Sequence, residues 1–290
     1  MTTQRDPEDL FEGGSDRAAY VRQMFGEISH RYDLVNRVMT VGQDQSWRRL
    51  AASQIVRPGD TVLDAGTGTG DLAFACLDAG ASRVVGIDVA GPMLEQARAK
   101  SQKRRVDEVS GFSLGDATRL PLPDASVDAW CSAFVVRNIP DLPAAFSEAY
   151  RVLKPGGLLA VVDNVVPGGD ESTPDGEAQQ AAGAYVNAFE LRRDPSHVRC
   201  LSREEWRDVL AAAGFTLRHE ETAPKRMAFD PWVKRMGADA AAQAAIKRML
   251  LDAPPAAAAF FAVDGVDGDA DNPLAFHLLE AIFIAQKPGE

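Results

Sequence analysis

The sequence predicts an α/β fold in which a parallel sheet is covered by helices on both faces. From Asp60 onward, short runs rich in β-forming residues alternate with amphipathic helical stretches, which is the pattern of such a sheet. The chain has 290 residues, 46% of them hydrophobic, and is therefore long enough to bury a sizeable core. These observations favour one main domain that carries insertions.

Each strand of the predicted sheet is marked by its own short apolar run. The first five strands are expected at residues 61–66, 83–88, 111–116, 126–135 and 158–165, and later runs at 215–221 and 277–287 complete the sheet. Helices are expected between the strands. Glycine or proline ends two of these helices, at Gly80 and Pro155.

Several segments fall outside this alternation. Residues 1–16 are polar and acidic and indicate a flexible arm, whereas 17–57 are helical in pattern and predict a lid that precedes the sheet. Apolar residues at helical spacing predict helical insertions at about 166–200 and 223–275 within the main domain, 58–290. Connections of this length are rarely unstructured loops.

Charge and cysteine content argue against several classes of protein. The formal net charge of -11 disfavours a general nucleic-acid binder, because affinity for phosphate backbones comes from clustered lysine and arginine. The sequence has no run of about 18 apolar residues that would span a bilayer, and its first residues lack the layout of a signal peptide. The three cysteines are far apart and show no C-x-x-C spacing, so we expect free thiols, a reducing cytoplasm and no metal site.

The segment "VLDAGTGTGDL" places three glycines directly after the first predicted strand and before a helix. Glycine lets the backbone turn tightly and approach a ligand closely, so Gly66, Gly68 and Gly70 are candidate binding residues. A tight turn without a ligand is the alternative for this motif alone. Asp88, at the end of the second strand, favours a nucleoside, because a carboxylate there can accept both hydroxyls of a ribose.

Two further positions indicate which nucleoside is expected. A nicotinamide fingerprint needs a glycine at position 71, where pyrophosphate and helix meet, but this residue is Asp71. A carboxylate disfavours phosphate and suits a cationic ligand such as S-adenosylmethionine. After the third strand, Asp116 is placed to accept the adenine amino group and the N–H of Ala117 to face a ring nitrogen, although Asp116 alone is more often a turn or cap residue.

These motifs, in this order, resemble the class I methyltransferase fold over about residues 58–165. The resemblance implies a Rossmann-like, seven-stranded, mostly parallel sheet with a reversed last strand, and S-adenosyl-L-methionine as the cofactor. It also implies a set of cofactor-binding residues: Asp64, Gly66, Gly68, Thr69, Gly70, Asp88, Met93, Asp116 and Ala117.

The segment "RYDLVNRVMTVGQDQSW" (31–47) is similar to the signature of ubiquinone and menaquinone C-methyltransferases. The matching residues are Tyr32, Asp33, Asn36 and Trp47, while Val35, Thr40 and Asp44 replace a methionine, a serine and a histidine. The second family signature is met by "RVLKPGG" (151–157), with Asp163 in place of a glutamate and Val165 in place of a serine. This resemblance implies methyl transfer to a ring carbon of a quinol or phenol.

Arg137 and Asn138, in "VVRNIPD", match an Arg-Asn pair that the same family carries after the fourth strand. Arg137 is expected to stabilise a phenolate as the ring carbon attacks, and Asn138 to bind the acceptor. Arg137 cannot itself be the base, because a guanidinium stays protonated. Asp163 is a better base, but it is equally suited to hold Arg137 structurally. Tyr32 is expected to hydrogen-bond the acceptor, or else to be a packed aromatic.

The C-terminal half departs from the quinone enzymes. The family usually has a serine where this chain has Ala133, and Ser132 comes one residue early, on the opposite side of a strand. The later segments resemble a broad group of bacterial small-molecule methyltransferases. Methylation of another small metabolite at O, N or C therefore stays open, as does a non-catalytic cofactor-binding subunit. A polyprenyl acceptor would require transient membrane contact without stable insertion.

Overall fold

The computed structural model describes residues 43–169, 173–235, 237–265 and 272–289. The strands are β1 (Thr61–Ala65), β2 (Arg83–Asp88), β3 (Ser110–Leu114), β4 (Val127–Ala133), β5 (Leu153–Val165), β6 (Thr216–Ala228) and β7 (Ala275–Gln286). The helices are α1 (Gln43–Ile55), α2 (Asp71–Asp78), α3 (Gly91–Arg104), α4 (Leu142–Val152), α5 (Pro174–Arg193), α6 (Arg203–Ala212), α7 (Phe229–Lys234), α8 (Ala240–Leu251) and α9 (Pro255–Phe261).

All seven strands form one sheet, in the order β3–β2–β1–β4–β5–β7–β6. The first five strands are parallel to one another, and β7 runs antiparallel to both of its neighbours. The predicted seven-stranded, mostly parallel sheet with a reversed last strand is therefore confirmed. Because β1 to β5 point the same way, the residues that follow them gather at one edge of the sheet.

Strand β4 ends earlier than the sequence predicted. The strand was expected to reach residue 135, but it stops at Ala133, and Phe134 adopts a left-handed backbone conformation with φ of 62°. The Phe134 N–H still donates to the Val162 carbonyl on β5, at 2.8 Å. Residues Val136–Asn138 then form a short 3-10 turn. The predicted acceptor residues after β4 thus lie in a turn beyond the strand.

Strand β6 is longer than predicted. A helical insertion was expected from about residue 223, but the strand continues to Ala228 and α7 begins only at Phe229. The reason is its partner, because β7 pairs with β6 along its whole length and satisfies the backbone groups of residues 223–228. The inserted helices after β6 therefore occupy residues 229–261.

Buried apolar side chains form three clusters. One lies between the sheet and α1 and α2, and a second lies on the opposite face beneath α4 and α6. The third packs α5, α7, α8 and α9 against the ends of β6 and β7. In this third cluster Phe189 stacks on Trp232 with ring centroids 4.9 Å apart, so Trp232, within the predicted 223–275 insertion, is a core residue. None of the helices in the described ranges has the length and apolar character that a bilayer span requires.

Candidate active site

A cavity that opens to solvent lies at the carboxyl ends of β1, β2 and β4. The structure brings eight of the nine predicted cofactor residues to its wall: Asp64, Gly66, Gly68, Thr69, Asp88, Met93, Asp116 and Ala117. Gly70 lies outside the wall, where it caps the start of α2. Asn138 lines the same cavity from the turn after β4. The cavity therefore joins the predicted cofactor residues to one predicted acceptor residue.

The glycine turn brings β1 and the turn after β4 into direct contact. Gly66 has φ of 73°, and a Cβ built on it would lie 2.5 Å from Cγ1 of Val135. Only glycine fits this position, because a side chain would meet both the unfavourable φ and the valine. Gly68 presents its backbone to Asp88, with the N–H 2.8 Å from Oδ2. The turn thus closes the cavity floor and fixes a carboxylate.

Asp88 is held between the glycine turn and α3. Its Oδ2 accepts from the Gly68 N–H, and its Oδ1 accepts from the Ala90 N–H at 2.8 Å. Burial raises the pKa of Asp88, and these backbone donors act in the opposite direction. The carboxylate keeps a fixed orientation on the cavity wall, as a group that accepts ribose hydroxyls requires.

Asp64 lies deeper in the cavity and is almost fully buried. Its Oδ2 accepts from the Thr67 hydroxyl at 2.7 Å, whereas Oδ1 has no hydrogen-bond partner in the described part of the chain. Burial raises the pKa of Asp64 to about 7, although the Thr67 hydroxyl and the Arg48 charge oppose the shift. A buried carboxylate with one oxygen left unpaired by the described residues is suited to receive a cationic ligand group.

Arg48 is a cavity residue that the sequence reasoning missed. It extends from α1 and forms an ion pair with Asp44 at 2.6 Å, and its guanidinium lies 5.0 Å from the ring centroid of Phe134. Both Arg48 and Asp64 line the cavity. One wall therefore offers a cation and an anion, which together match the carboxylate and ammonium of an α-amino acid. The segment that resembles the family signature ends at Trp47, and its sequence pattern does not indicate that the next residue, Arg48, faces the cavity.

At the rim of the cavity, Asp71 on α2 forms hydrogen bonds that connect this helix to α1 and α3. Lys100 on α3 donates to Asp71 Oδ1 at 2.7 Å and to the Thr69 hydroxyl at 2.8 Å, and Gln45 on α1 donates to Asp71 Oδ2 at 2.9 Å. Burial alone would raise the pKa of Asp71, but the Lys100 ammonium and these hydrogen bonds hold it below its ordinary value. The negative charge at position 71 is thus largely balanced within the protein.

Asp116 makes the turn interactions that were its alternative role. Its Oδ1 accepts from both the N–H and the hydroxyl of Thr118, each at 2.8 Å. Asp116 and Ala117 nevertheless line the cavity beside the end of β3. The turn fixes the side chain at the place where the adenine ring was expected.

Arg137 and Asp163 contact each other and do not line the cavity. Arg137 Nη1 lies 2.5 Å from Asp163 Oδ1, and the Arg137 N–H donates to Oδ2 at 3.1 Å. The Asn164 N–H also donates to Oδ1, so the nearly fully buried carboxylate receives three donors. This geometry supports the structural alternative for Asp163. Tyr32, the third predicted catalytic residue, lies outside the described residues.

Asn138 connects the cavity to the loop that follows α5. Its side-chain amide donates to the Ser196 carbonyl at 3.0 Å and to the Ser196 hydroxyl at 2.9 Å. Ala133 also lines the cavity, whereas Ser132 is buried on the other side of the strand, as the alternation predicted. The position of the family serine is therefore apolar in this chain.

Comparison with known families assigns the chain. Residues 14–168 match the model of the ubiE/COQ5 methyltransferase family. The chain belongs to this family. It is 42% identical over 150 residues to a demethylmenaquinone methyltransferase of Deinococcus radiodurans, which covers 51% of this chain and 61% of that protein. It is 37% identical over 213 residues to a protein of the same name from Thermus thermophilus, covering 68% of this chain and 93% of that protein.

A solved structure shows the same fold across most of the chain. The YcgJ protein from Bacillus subtilis superposes with a TM-score of 0.73 at 27% identity, covering 86% of this chain and 99% of that chain. The predicted class I methyltransferase fold and the resemblance to the quinone C-methyltransferases are confirmed. The chain spans only about three fifths of the length of several curated relatives that it matches.

Family membership confirms S-adenosyl-L-methionine as the cofactor, and the cavity residues fit it. Oδ1 of Asp64, which has no partner within the described ranges, suits the ammonium group, and Arg48 suits the carboxylate. Asp88 suits the ribose hydroxyls, while Asp116 and Ala117 lie where the adenine would be held. The missing side chain of Gly66 leaves room for Val135, which lines the cavity beside it.

Proposed function

We propose that this protein transfers a methyl group from S-adenosylmethionine to a ring carbon of a quinol or phenol. The observation that carries the proposal is the position of Asn138, the second residue of the family's Arg-Asn pair, on the wall of the cofactor cavity. The family match also includes the 31–47 segment, and two relatives are named demethylmenaquinone methyltransferase.

The protein's contribution in this proposal is mainly orientation. The cofactor supplies a methyl group that its sulfonium already activates. The cavity holds that group beside Asn138, whose Nδ2 donates to Ser196 and whose Oδ1 can accept from an acceptor hydroxyl. Holding two reactants in a productive geometry can lower a barrier by up to roughly 7–11 kcal/mol.

We propose positioning roles for Arg137 and Asp163. Their ion pair fixes the turn after β4 and hence the orientation of Asn138. The Arg137 guanidinium does not line the cavity and is paired with Asp163, so its charge acts on a developing phenolate over a longer distance than a direct contact. Tyr32 stays a proposed acceptor contact from the N-terminal segment.

A methylation assay with a substrate panel tests the proposal. Purified protein is incubated with methyl-labelled S-adenosylmethionine and a panel of reduced quinols and phenols that lack the ring methyl group. The proposal expects one labelled methyl group on a ring carbon of at least one quinol, assigned by mass spectrometry and NMR. Absence of ring methylation across the panel, with cofactor binding intact by calorimetry, would refute it.

A second candidate function is methylation of another small metabolite at O, N or C. The observation that favours it is the extent of the family match, which ends at residue 168 and so excludes α5 to α9, β6 and β7. These elements include the loop that contacts Asn138. Mass spectrometry of small molecules that co-purify with the protein distinguishes the two candidates.

We also propose that the protein works in the cytoplasm. Its three cysteines are free and buried in the fold, as in proteins of a reducing compartment. A polyprenyl acceptor would bring the protein into transient contact with a membrane surface. Flotation with phospholipid vesicles that contain a polyprenyl quinol tests that contact.

A further inference from the structure

Three polar side chains from the last strands of the sheet lie together near the cofactor cavity. Lys225 on β6 forms a buried ion pair with Oε1 of Glu280 on β7. The two residues are 8% and 0% exposed, respectively. Asn164 on β5 is the direct cross-strand neighbour of Glu280, and such neighbours have Cβ atoms about 4.5–5.5 Å apart. We refer to Asn164, Lys225 and Glu280 as the β5–β7 polar cluster.

Two acceptor atoms of this cluster lack donors. Oε2 of Glu280 and Oδ1 of Asn164 are both buried, and neither has a hydrogen-bond partner among the residues that the structure describes. An unpaired buried acceptor costs about 1–3 kcal/mol, and more when it is charged. Oε2 of Glu280, whose carboxylate pairs with the Lys225 ammonium, and Oδ1 of the cross-strand neighbour Asn164 form a site that suits a hydroxyl group, which can donate to the carboxylate and accept from the ammonium.

The cluster is separated from the cofactor cavity by the ring of Phe134. Lys225 Nζ lies 5.0 Å from the centroid of this ring, and Phe134 lines the cavity. The Phe134 N–H donates to the carbonyl of Val162. Val162 and Asn164 are two residues apart on β5, so their side chains lie on the same face of the strand. None of the three cluster residues lines the cavity, so an acceptor hydroxyl reaches them when the ring of Phe134 moves aside.

The predicted base, Asp163, is already occupied by its own contacts. It accepts hydrogen bonds from the Arg137 side chain, the Arg137 N–H and the Asn164 N–H. Glu280 has one oxygen in an ion pair and the other without a partner among the described residues, so this second oxygen can accept the proton of a hydroxyl donor. Both Lys225 and Glu280 lie beyond the region that matches the family model, and the family signatures therefore do not specify them.

We propose that the β5–β7 polar cluster binds the hydroxyl group of the methyl acceptor, with Glu280 as the group that accepts its proton. This inference rests on the proposed quinol or phenol acceptor. The hydroxyl proton passes to Oε2 of Glu280, and the electron pair of the O–H bond stays on the oxygen as a phenolate that faces Lys225. After methylation, the displaced ring proton leaves to water and Glu280 returns its proton to the oxygen.

A fluorescent phenol tests this proposal without turnover. 2-Naphthol is the probe, because excitation in its red-shifted naphtholate absorption band gives emission only from molecules that are already ionised in the ground state, and naphtholate emission is recorded with this excitation. It is titrated into protein saturated with S-adenosylhomocysteine. We expect naphtholate emission from the bound probe on the wild-type protein, and a drop of about tenfold or more in the naphtholate share for Glu280→Gln. Retained naphtholate emission in that variant, or no binding to the wild-type protein, would overturn the proposal.

Glu221→Gln is the matched control. Glu221 is an exposed carboxylate on β6 whose described partner is His219, at 3.3 Å. This variant removes the same charge from the same sheet and should emit as the wild type does. An equal loss of naphtholate emission in Glu221→Gln would show that the net charge of the sheet determines ionisation of the probe, and it would contradict a specific site at Glu280.

The folding of Glu280→Gln is checked by its affinity for S-adenosylhomocysteine, which should equal that of the wild type. If the single variant unfolds because Lys225 loses its buried partner, the pair variant Glu280→Gln/Lys225→Met carries the test. It replaces both charges at similar volume, a change that buried ion pairs often tolerate. We expect the pair variant to bind the cofactor product and to give only neutral emission; naphtholate emission from it would overturn the proposal.

Turnover separates this inference from the proposed function. With a quinol that the wild type methylates, Glu280→Gln should lower kcat by about 100-fold or more, the usual effect of losing a general base. Wild-type turnover by Glu280→Gln overturns the inference and leaves the proposed function intact. A wild-type protein that methylates no quinol but ionises bound 2-naphthol refutes the proposed function and supports the hydroxyl site.

Discussion

Arg137 and Asp163 are joined twice, through the guanidinium at 2.5 Å and through the backbone N–H of the arginine at 3.1 Å. The Arg137 carbonyl in turn accepts from the N–H groups of Val198 and Arg199. One buried carboxylate on β5 therefore fixes both the side chain and the backbone of the turn after β4. This turn places Asn138 at the cofactor cavity, so the Arg137–Asp163 pair acts on the site by fixing the position of Asn138.

Removing Arg137 should destabilise the fold. In Arg137→Ala the buried Asp163 loses its charged partner, and we expect the free energy of unfolding to fall by about 3 kcal/mol, measured by urea denaturation. Lys234→Ala is the control, since its ion pair with Asp230 is exposed. Loss of this pair should lower the free energy of unfolding by less than about 1 kcal/mol. Equal effects of the two substitutions would contradict the anchoring role. At a temperature where the variant stays folded, its affinity for S-adenosylhomocysteine should be unchanged while turnover falls.

Arg48→Met should weaken binding of S-adenosylhomocysteine by about 10- to 100-fold, because a charge-assisted contact to the carboxylate is lost. The same variant should bind 5′-methylthioadenosine as the wild type does, since that molecule lacks the amino-acid part. Arg49→Met, an exposed neighbour on the same helix, is the control. Calorimetry with both ligands measures the effect, and an equal loss for both would place Arg48 away from the carboxylate.

Cofactor affinity should decrease in acid because of Asp64. Burial raises its pKa to about 7, so below that pH the free protein holds a neutral carboxyl that cannot pair with an ammonium group. We expect the affinity for S-adenosylhomocysteine to fall toward about tenfold per pH unit below neutrality. Asp64→Asn should bind more weakly at high pH and show a flatter profile. A variant profile parallel to that of the wild type would assign the pH dependence to another group.

Two glycines of the turn should respond differently to alanine. Gly66→Ala places a Cβ 2.5 Å from Val135 at a residue with positive φ. It should lower the free energy of unfolding by about 3 kcal/mol or more. Gly68→Ala has open space around its Cβ and should cost only about 1–2 kcal/mol of backbone strain. Thermal unfolding measures both. Val135→Ala in the Gly66→Ala background should restore part of the loss; no recovery would show that backbone strain, not contact, dominates.

His197 should make the fold sensitive to acid. Its side chain is buried, and its Nε2 lies 2.9 Å from Asn187 Oδ1. Burial lowers the pKa of His197 to about 4. Between the ordinary value of 6.5 and about 4, the unfolded chain binds a proton that the folded chain does not, so stability is lost as the pH falls. The loss reaches about 3 kcal/mol across this window. His197→Gln should show a smaller decrease in urea unfolding over the same range; an unchanged slope would contradict the assignment.

The sequence predicted those features that local pattern determines. The five parallel strands and the glycine turn follow from periodicity and from residues adjacent in the chain, and they agree with the structure apart from strand ends, since β4 stops at Ala133 and β5 begins at Leu153. Arg48, Lys225 and Glu280 were not predicted, because each becomes relevant through contacts with Phe134 or with a strand distant in sequence. Residues 223–228 were predicted as helical insertion for the same reason, since only pairing with β7 makes them a strand. The catalytic assignments stay predictions, and Tyr32 lies outside the described residues.

The place of β7 between β5 and β6 has a consequence for how the chain matures. Until residues 275–286 have left the ribosome, β5 presents an unpaired edge and β6 has no neighbour to join. Such an edge is a site for pairing with other nascent chains. The helices between β6 and β7 prolong this interval, so a chaperone that shields strand edges should raise the yield of native protein more than one that acts on the finished chain.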